Sequence, residues 1–331
     1  EMRMTTLFTR RQLLLATAAL AGLPGSARAQ PAWPARPVNL VVPFPAGGGT
    51  DAFARPLGAQ FTRLTGQNLL IDNKGGGGGT VGAAVAAKAP ADGYNYFMGG
   101  VHHAIAPSVY PKLQYDLQQD FVPLILVARV PQVVVVNPKR VQARTVKELI
   151  DLAKKNPGKL NYASAGSGTS HHLAGELFKQ QTGTFITHIP YRGAGPALQA
   201  LIAGEVDLMF DGLGSSAGHI KGGRIVPLMM AGRSRNPAFP DVPSARESGL
   251  PDYDVSTWYG IWAPKGTPAE AQAAMIEAVR KSAQTPENKQ VWAGQGAEFA
   301  NLEAATFGGF IQLEMAKWAR VVKATGGVRI D

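Results

Sequence analysis

The sequence predicts an α/β protein of two lobes, and three observations lead to this prediction. Short apolar runs alternate with stretches of helical composition, the order found where helices cover parallel sheets. Apolar residues make up 45% of the chain, which is enough to build a hydrophobic core. A chain of 331 residues is longer than a single hydrophobic core usually supports, so we expect two lobes rather than one.

The predicted elements follow one another in a regular order. Strands are predicted at 38–42, 69–71, 124–127 and 133–136, with helices at 50–64 and 80–88. A second series has strands at 160–163, 206–210 and 225–230, and a helix at 170–181. Towards the C-terminus, helices are predicted at 268–282 and 302–324. Extended stretches at 130–137 and 255–263 are the candidate crossovers, which assigns residues 30–131 and 259–331 to lobe 1 and residues 132–258 to lobe 2.

The first 29 residues are predicted to be a secretory signal peptide. Basic residues precede an apolar run at 13–23, and Ala27-Arg28-Ala29 has the A-x-A pattern of a cleavage site. The run is shorter than the ~20 residues that span a bilayer, which disfavours a membrane anchor. We therefore expect cleavage after Ala29 and a periplasmic protein. Residues 9–14 also resemble a twin-arginine signal, which leaves the export route open.

Composition excludes several classes of site and partner. The chain contains no cysteine, which excludes a disulfide scaffold, a zinc–thiolate site, an iron–sulfur cluster and a cysteine nucleophile. Its basic residues are scattered, and part of the net charge of +10 leaves with the signal peptide, so we expect no nucleic-acid partner. A mild positive excess fits a small anionic ligand better.

The 39 glycines concentrate at strand-to-helix junctions. Three times a predicted strand is followed by a glycine-rich loop with threonine and then a helix, at 47–51, 75–80 and 166–169. Such loops expose backbone N–H groups at a helix N-terminus, where the macrodipole favours an anion. Tight turning between strand and helix is the alternative explanation for each loop alone. Three such loops, distributed over both lobes, favour a cleft that closes over a small anion.

Two sequence patterns suggest an enzyme, and each lacks a feature that the corresponding enzyme class requires. Residues 47–52 match G-x-G-x-x-A and Asp72 follows the next strand, which resembles a dinucleotide fingerprint and raises the alternative of an exported NAD(P)-dependent oxidoreductase. Pro43 and Pro45, however, occupy the place of the fingerprint's tight turn. Residues 214–218 match the G-x-S-x-G elbow, but the last histidine of the chain is His219, too close to serve as the hydrolase base.

The six histidines and the late aromatic residues predict packing rather than chemistry. No histidine pair has the i, i+4 spacing of a helical metal site, so we interpret them as core or capping residues. Tyr191, Trp258, Tyr259 and Trp262 could line a cleft, although aromatic residues in α/β proteins more often belong to the core. We accordingly predict no catalytic residue, no metal and no cofactor.

A series of motifs resembles a known family over essentially the whole mature chain. They are VVPFPAGGGTD at 41–51, DGY at 92–94, DFVP at 120–123, PGKL at 157–160, YAS at 162–164, GSGT at 166–169, HLAGELF at 172–178, HIPYRG at 188–193 and VDLMFD at 206–211. In this order they are similar to the substrate-binding proteins of tripartite tricarboxylate transporters, the Bug family.

The resemblance implies a two-lobed periplasmic binding protein of type II (Venus-flytrap) with two crossover segments. It further implies a monomer that captures a small organic carboxylate and delivers it to a two-subunit membrane permease or to a sensor protein. The opposed loops and Asp211, which matches a position that reaches the ligand directly or through water, form the implied site. Its residues are Phe44, Pro45, Ala46, Gly47, Gly48, Gly49, Thr50, Asp51, Gly77, Gly78, Ser164, Ala165, Gly166, Ser167, Gly168, Thr169 and Asp211.

Two stretches depart from the family's pattern. Residues 75–79 are all glycine, where the family more often has Pro and Ala, so the contact role of this loop is left open. His102 and His103 occupy a place where small polar residues are usual. They could extend the polar contacts of the ligand or face solvent, and we favour solvent.

Overall fold

Two groups of parallel strands are joined by two long strands in the middle of one sheet. The computed structural model describes residues 33–327, so the predicted signal peptide lies outside the described residues. The strands are β1 (Val38–Val42), β2 (Leu69–Asn73), β3 (Asn95–Gly100), β4 (Phe121–Val136), β5 (Asn161–Ser164), β6 (Thr187–Pro190), β7 (Leu208–Gly212), β8 (Val226–Ala231), β9 (Ser256–Pro264) and β10 (Glu298–Glu303). Neighbouring strands follow the order β2-β1-β3-β9-β4-β7-β5-β6, and β8 and β10 also pair with β4.

Helices fill most of the connections between these strands. They are α1 (Gly49–Thr65), α2 (Thr80–Ala87), α3 (Val101–Val109), α4 (Val146–Lys155), α5 (Ser170–Thr182), α6 (Ala194–Ala203), α7 (Leu213–Lys221), α8 (Ala269–Ala283), α9 (Pro286–Gly294) and α10 (Ala304–Ala324). A 3-10 turn at Gly77–Gly79 leads directly into α2. Strand and helix therefore alternate as the sequence predicts.

Apolar runs predict four strands of the two parallel groups, β1, β2, β5 and β7, whereas β6 was not among the predicted strands. β1 lies between β2 and β3, with Val38 opposite Leu69 and Leu40 opposite Tyr96. β5 lies likewise between β6 and β7, with Ala163 opposite both Ile189 and Met209. β1 and β7, which lie inside the sheet, are almost entirely buried, whereas the end strands β2 and β6 are largely half-buried or exposed.

β4 and β9 make the sheet mixed rather than purely parallel, which differs from the prediction. β9 is antiparallel to both β3 and β4, and β4 is antiparallel to β7. β4 leaves the first group and β9 returns to it, so the two strands run side by side in opposite directions. Along β4, residues up to Pro131 pair with β9, whereas residues from Gln132 onward pair with β7 and β8. β9 matches the predicted crossover at 255–263, and the one at 130–137 overlaps the second half of β4, a single strand that also includes the predicted strands at 124–127 and 133–136; the lobe boundaries stay a prediction.

The C-terminal helix begins at Ala304 because a strand precedes it, which corrects the prediction of helix from residue 302. β10 pairs with β4, with Phe299 opposite Ala128 and Leu302 opposite Leu126. All six of its residues are half-buried or exposed, so the strand has little of the apolar signal that marks the others. The polar composition of this edge strand hid it from sequence reasoning.

Aromatic side chains of β9 fill the core of the first group. Trp258 and Trp262 are fully buried, and their rings lie 6.2 and 4.8 Å from that of Phe307. Tyr259 points to the opposite side of the strand, as alternation requires. A second core of aliphatic residues, including Val133, lies in the other group. The two tryptophans are therefore core residues, as the more common reading of such aromatics predicts.

Residues 33–35 belong to a different unit from residues 36–327. In the first unit the Trp33–Pro34 peptide bond is cis. Among residues 33–327, no helix combines the length and apolar character needed to cross a membrane. All the features described below belong to the second unit.

Candidate ligand-binding site

Turns at the carboxyl ends of the parallel strands lead directly into helices. This order occurs at β1–α1, β2–α2 and β5–α5, as the sequence predicts, and again at β6–α6 and β7–α7. The N-cap residues of α1, α5, α6 and α7 make no side-chain cap hydrogen bond. First-turn N–H groups that a cap does not satisfy are suited to binding an anion.

A small cavity lies between the β1–α1 loop and the start of α5. Its volume is about 10 Å³, roughly the room of one water molecule. We call it the inner cavity. It is lined by Phe44, Gly48, Gly49, Thr50, His102, Ala165, His171, Ala194 and Tyr259. The lining contains neither lysine nor arginine, so polar contacts in it come from backbone, hydroxyl and imidazole groups.

The first turn of α1 forms one wall of the inner cavity. Among the hydrogen bonds of residues 33–327, none uses the N–H of Gly49 or Thr50. A Cβ atom at Gly49 would overlap the hydroxyl of Tyr259. Glycine at this position therefore brings a backbone amide to the cavity where a side chain would exclude both Tyr259 and a ligand.

Asp51 organises the β1–α1 loop and does not line the cavity. Its carboxylate accepts hydrogen bonds from the N–H of Gly47 at 3.0 Å, from Arg55 Nε at 2.8 Å and from Asn73 Nδ2 at 3.1 Å. Burial alone would raise the pKa of Asp51, but these hydrogen bonds outweigh burial and lower it. The ionised carboxylate holds the loop in place beside the cavity.

The loop between β5 and α5 is held together by its own hydrogen bonds. The N–H of Gly166 donates to Ser164 Oγ at 3.1 Å, and the N–H of Gly168 donates to His172 Nδ1 at 3.1 Å. Thr169 Oγ1 donates to the carbonyl oxygen of Gly166 at 2.7 Å. The Gly166 amide is therefore engaged within the loop and the Gly168 amide by α5, and Ala165 is the part of the loop that lines the inner cavity.

His102 and His103 are buried, so the expectation that they face solvent is wrong. They are 5% and 1% exposed because they lie in the first turn of α3, beneath the loops. His103 Nδ1 accepts from the N–H of Gly100 at 3.0 Å, while its Nε2 lies 3.3 Å from the carbonyl oxygen of Gly79. Burial lowers the pKa of both rings, that of His103 to about 4. Both are therefore neutral near pH 7, and His102 lines the inner cavity.

Asp211 lies behind the inner cavity rather than in its wall. Its Oδ2 accepts from the hydroxyls of Ser215 and Ser216 at 2.7 and 2.5 Å. Its Oδ1 lies 3.4 Å from Nε2 of His171, which does line the cavity. Burial raises the pKa of Asp211 to about 6 and lowers that of His171 to about 4. Asp211 thus adjoins the site through His171. The serine of the G-x-S-x-G pattern, Ser216, is buried and donates a hydrogen bond to Asp211.

The predicted site residues fall into distinct positions. Those that line the inner cavity are Phe44, Gly48, Gly49, Thr50 and Ala165. Those that line an adjoining cavity are Gly77, Gly78, Gly166 and Ser167, together with Phe44 and Ala165. Those that support the walls through hydrogen bonds are Gly47, Asp51, Ser164, Gly168, Thr169 and Asp211. Pro45 and Ala46 belong to the β1–α1 loop and line neither cavity.

Four residues of the inner cavity were outside the predicted site: His102, His171, Ala194 and Tyr259. Ala194 follows Gly193, the N-cap of α6 in the loop after β6, so the strand–glycine–helix order was a usable signal for it. Tyr259 was weighed among the core aromatics and His171 among the capping histidines, since the direction of a side chain is not visible in the sequence. Residues 33–327 contain no cluster of three or more His, Asp or Glu placed to hold a metal ion.

Fold and site together define a two-lobed solute-binding protein. A family model described as the tripartite tricarboxylate transporter family receptor matches residues 53–327. The curated protein BugT of Bordetella pertussis is 35% identical over 327 residues, covering 98% of this chain and 99% of BugT. The chain belongs to the tripartite tricarboxylate transporter receptor family, as its motifs predict.

Solved structures support the same conclusion. The periplasmic binding protein BugD matches with a TM-score of 0.87 at 32% identity, covering 90% of this chain and all of that one. R. palustris Rpa4515, solved with adipate, also has a TM-score of 0.87, at 35% identity over 90% of this chain and all of that one. The family and these neighbours are binding proteins rather than enzymes, so the oxidoreductase alternative is wrong.

Proposed function

We propose that the protein captures a small organic carboxylate at the inner cavity and delivers it to a two-subunit membrane permease. The observation that carries the proposal is the first turn of α1, where the Gly49 and Thr50 N–H groups border the cavity. The partial positive charge of a helix N-terminus favours an anion there. The adipate in Rpa4515, a relative by structure and sequence, supports the same ligand class.

Ligand entry would require the walls of the inner cavity to move apart. A cavity of about 10 Å³ is far smaller than a carboxylic acid of several carbons. A Cβ placed on Gly195, in the first turn of α6, would lie 3.0 Å from the carbonyl oxygen of Ala46, so these two loops are closely packed. We propose that bending of β4 and β9 separates them, because these strands connect the two groups.

A panel of acids and their neutral derivatives tests the ligand class. We expect at least one dicarboxylate, tricarboxylate, amino acid or aromatic acid to raise the melting temperature, since a ligand at 100 times its Kd adds about 2.7 kcal/mol. The methyl ester of the same acid is the matched control and should have little effect, because it lacks the charge that the amides attract. If no acid stabilises the protein, or if acid and ester act equally, carboxylate capture is refuted.

Export and the partner are separate parts of the proposal. Protein isolated from the periplasm should begin at Gln30, which N-terminal sequencing or intact mass measures directly. Native mass spectrometry should give a monomer.

Uptake of the identified ligand should be lost in cells lacking this chain and equally in cells lacking the permease. If uptake persists in both strains while ligand-dependent gene expression is lost, the receptor serves a sensor instead.

A further inference from the structure

A surface groove runs along one face of α2. Its volume is about 300 Å³. One wall is formed by Val81, Ala84, Val85 and Lys88, which follow one another at the spacing of a single helix face. The opposite wall is the segment 112–114, which lies in the loop after α3. We call this surface the α2 groove.

The floor of the α2 groove is apolar and open to solvent. Val81 and Val85 are 48% and 44% exposed, so water covers much of both side chains. Ala84 and Leu113 lie deeper and pack against the core. Contiguous apolar surface that is bordered by polar residues is typical of a site where another protein binds. The groove is therefore suited to an apolar stripe on a partner.

The cations of the α2 groove have no acidic partner. Lys88 and Lys112 are both exposed, and no ion pair among residues 33–327 involves either of them. Other lysines, such as Lys74 and Lys147, do pair with aspartates. None of the described residues that line the groove is acidic. Two unpaired cations beside an apolar floor favour a partner segment of opposite charge.

The α2 groove adjoins the loops that surround the candidate ligand site. Thr80, at one end of the groove, directly follows the all-glycine turn, part of which lines the adjoining cavity. Lys112 closely follows Tyr110 in the chain. The hydroxyl of Tyr110 donates to the carbonyl oxygens of Gly77 at 3.1 Å and Ser167 at 2.9 Å. Both walls of the groove are thus continuous with a hydrogen-bonded contact between the loops after β2 and β5.

We propose that the α2 groove is the docking surface for the membrane permease, and that its occupant is a segment of that protein with an apolar stripe flanked by Asp or Glu. This rests on the proposed function, in which a permease receives the ligand. A receiving protein has to bind beside the loops from which the ligand leaves, and the groove adjoins those loops. The apolar side chains of the segment lie on Val81 and Val85, and its carboxylates pair with Lys88 and Lys112.

Site-specific photocrosslinking in the source bacterium tests the proposal. The photoreactive residue p-benzoylphenylalanine replaces Val85 and, in a matched control, Leu313, which is 73% exposed on α10. Mass spectrometry identifies the crosslinked peptides. We expect the Val85 position to crosslink to a protein with several membrane spans, at a peptide with apolar and acidic residues. The Leu313 position should give no crosslink to that protein.

Reversal of the two charges tests the electrostatic part of the proposal. Adding Lys88→Glu and Lys112→Glu should lower the crosslink yield at Val85 roughly three- to tenfold, since two exposed ion pairs are lost and like charges oppose each other. Lys139→Glu with Lys289→Glu is the matched control, because both lysines are exposed and lie outside the groove. This control should leave the yield unchanged. Melting curves of all variants confirm that they fold.

The outcomes separate the docking surface from the proposed function. Crosslinks at Val85 to a second copy of this chain, to a soluble protein or to a membrane sensor would refute the permease as occupant. Binding to vesicles of anionic phospholipid that is lost in the Lys88→Glu/Lys112→Glu variant would show a lipid surface instead. If an acid stabilises the protein but no permease crosslink forms, the docking surface is refuted while carboxylate capture stands. If the permease crosslink forms but no acid stabilises the protein, only the ligand class is refuted.

Discussion

Nδ1 of His102 accepts a hydrogen bond from the backbone N–H of Ser170 at 3.1 Å. The bond joins the first turn of α3 to the first turn of α5, at the back of the inner cavity. Only a neutral imidazole has the lone pair to accept it, and burial together with the neighbouring rings of His171 and His103 keeps the pKa of His102 low. The approach of these two helices therefore depends on an unprotonated ring.

Stability should fall as the solution becomes mildly acidic. Burial lowers the pKa of His103 and His171 to about 4 and that of His188 to about 3, and it also lowers that of His102. These rings bind protons on unfolding, so their stabilisation is complete above pH ~6.5 and is lost as pH falls towards their folded values. We expect the free energy of unfolding, measured in urea, to drop by at least about 2 kcal/mol between pH 7 and 5.

Asp211 acts in the opposite direction over part of this range. Its pKa is raised to about 6, so its contribution to stability is present in acid and lost as pH rises through 6. The raised pKa of this one carboxyl offsets the lowered pKa of about one of the four histidines. The free energy of unfolding therefore still increases with pH. His102→Gln should reduce that slope, by at most about 1.4 kcal/mol per pH unit, whereas substitution of the half-buried His219 should change it less. A flat stability profile would contradict the neutral, buried state of these rings.

Two adjacent glycines should respond very differently to alanine. A Cβ on Gly49 overlaps the Tyr259 hydroxyl, whereas a Cβ on Gly48 has no neighbour nearer than 3.7 Å and the φ of Gly48 is −87°. We expect Gly49→Ala to lower the free energy of unfolding by about 1–3 kcal/mol, as overpacking does, and to weaken ligand binding. Gly48→Ala should change stability by less than about 0.5 kcal/mol. Adding Tyr259→Phe to Gly49→Ala should restore part of the loss; equal effects of the two alanines would refute the close approach.

Ser216 should prove structural. It is fully buried and its hydroxyl donates to Asp211 at 2.5 Å, so Ser216→Ala removes a donor from a buried carboxylate. We expect a loss of about 1.5–3 kcal/mol in the free energy of unfolding near neutral pH, and a smaller loss at pH 5, where the carboxyl carries a proton. Ser234→Ala, at an exposed position, is the control. Hydrolysis of a nitrophenyl ester that depends on Ser216 would contradict this role.

Tyr110→Phe should loosen the contact between the loops after β2 and β5. The substitution removes only the hydroxyl that donates to Ser167 and Gly77 and leaves the ring in place. A hydrogen bond of this kind contributes about 0.5–1.5 kcal/mol, so we expect ligand dissociation to become roughly two- to tenfold faster. Stopped-flow release measures this rate. An unchanged rate would show that the hydroxyl does not stabilise the closed loops.

The sequence predicted the framework well because apolar runs carry the information about strands. The run at 38–42 became β1 with the same bounds, and the stretch at 255–263 became β9 with a shift of one residue. β10 was missed because an edge strand with exposed residues needs no apolar pattern. Local composition indicates which segments are buried. Prediction from composition fails for a strand that is held mainly by backbone hydrogen bonds to its neighbour.

The candidate site was predictable only in part, for a different reason. Glycine before a helix is a local signal, and it correctly marked Gly48 and Gly49 as cavity residues. The engagement of the Gly168 amide by His172, and of the Ser170 amide by His102, depends on where each imidazole ring points. Packing between α3 and α5 sets the direction of the His102 ring, and stacking on His188 of β6 sets that of His172, so neither direction can be predicted from one segment of sequence.

The position of β9 makes the order of assembly differ from the order of synthesis. β9 lies between β3 and β4, although more than a hundred residues separate it from either along the chain. Until residue 264 is available, both neighbours have an open edge that can pair with strands of other chains. β9 thus completes the middle of the sheet late in synthesis, with β10 still to follow, so a chain that ends before residue 264 leaves these two edges exposed to association.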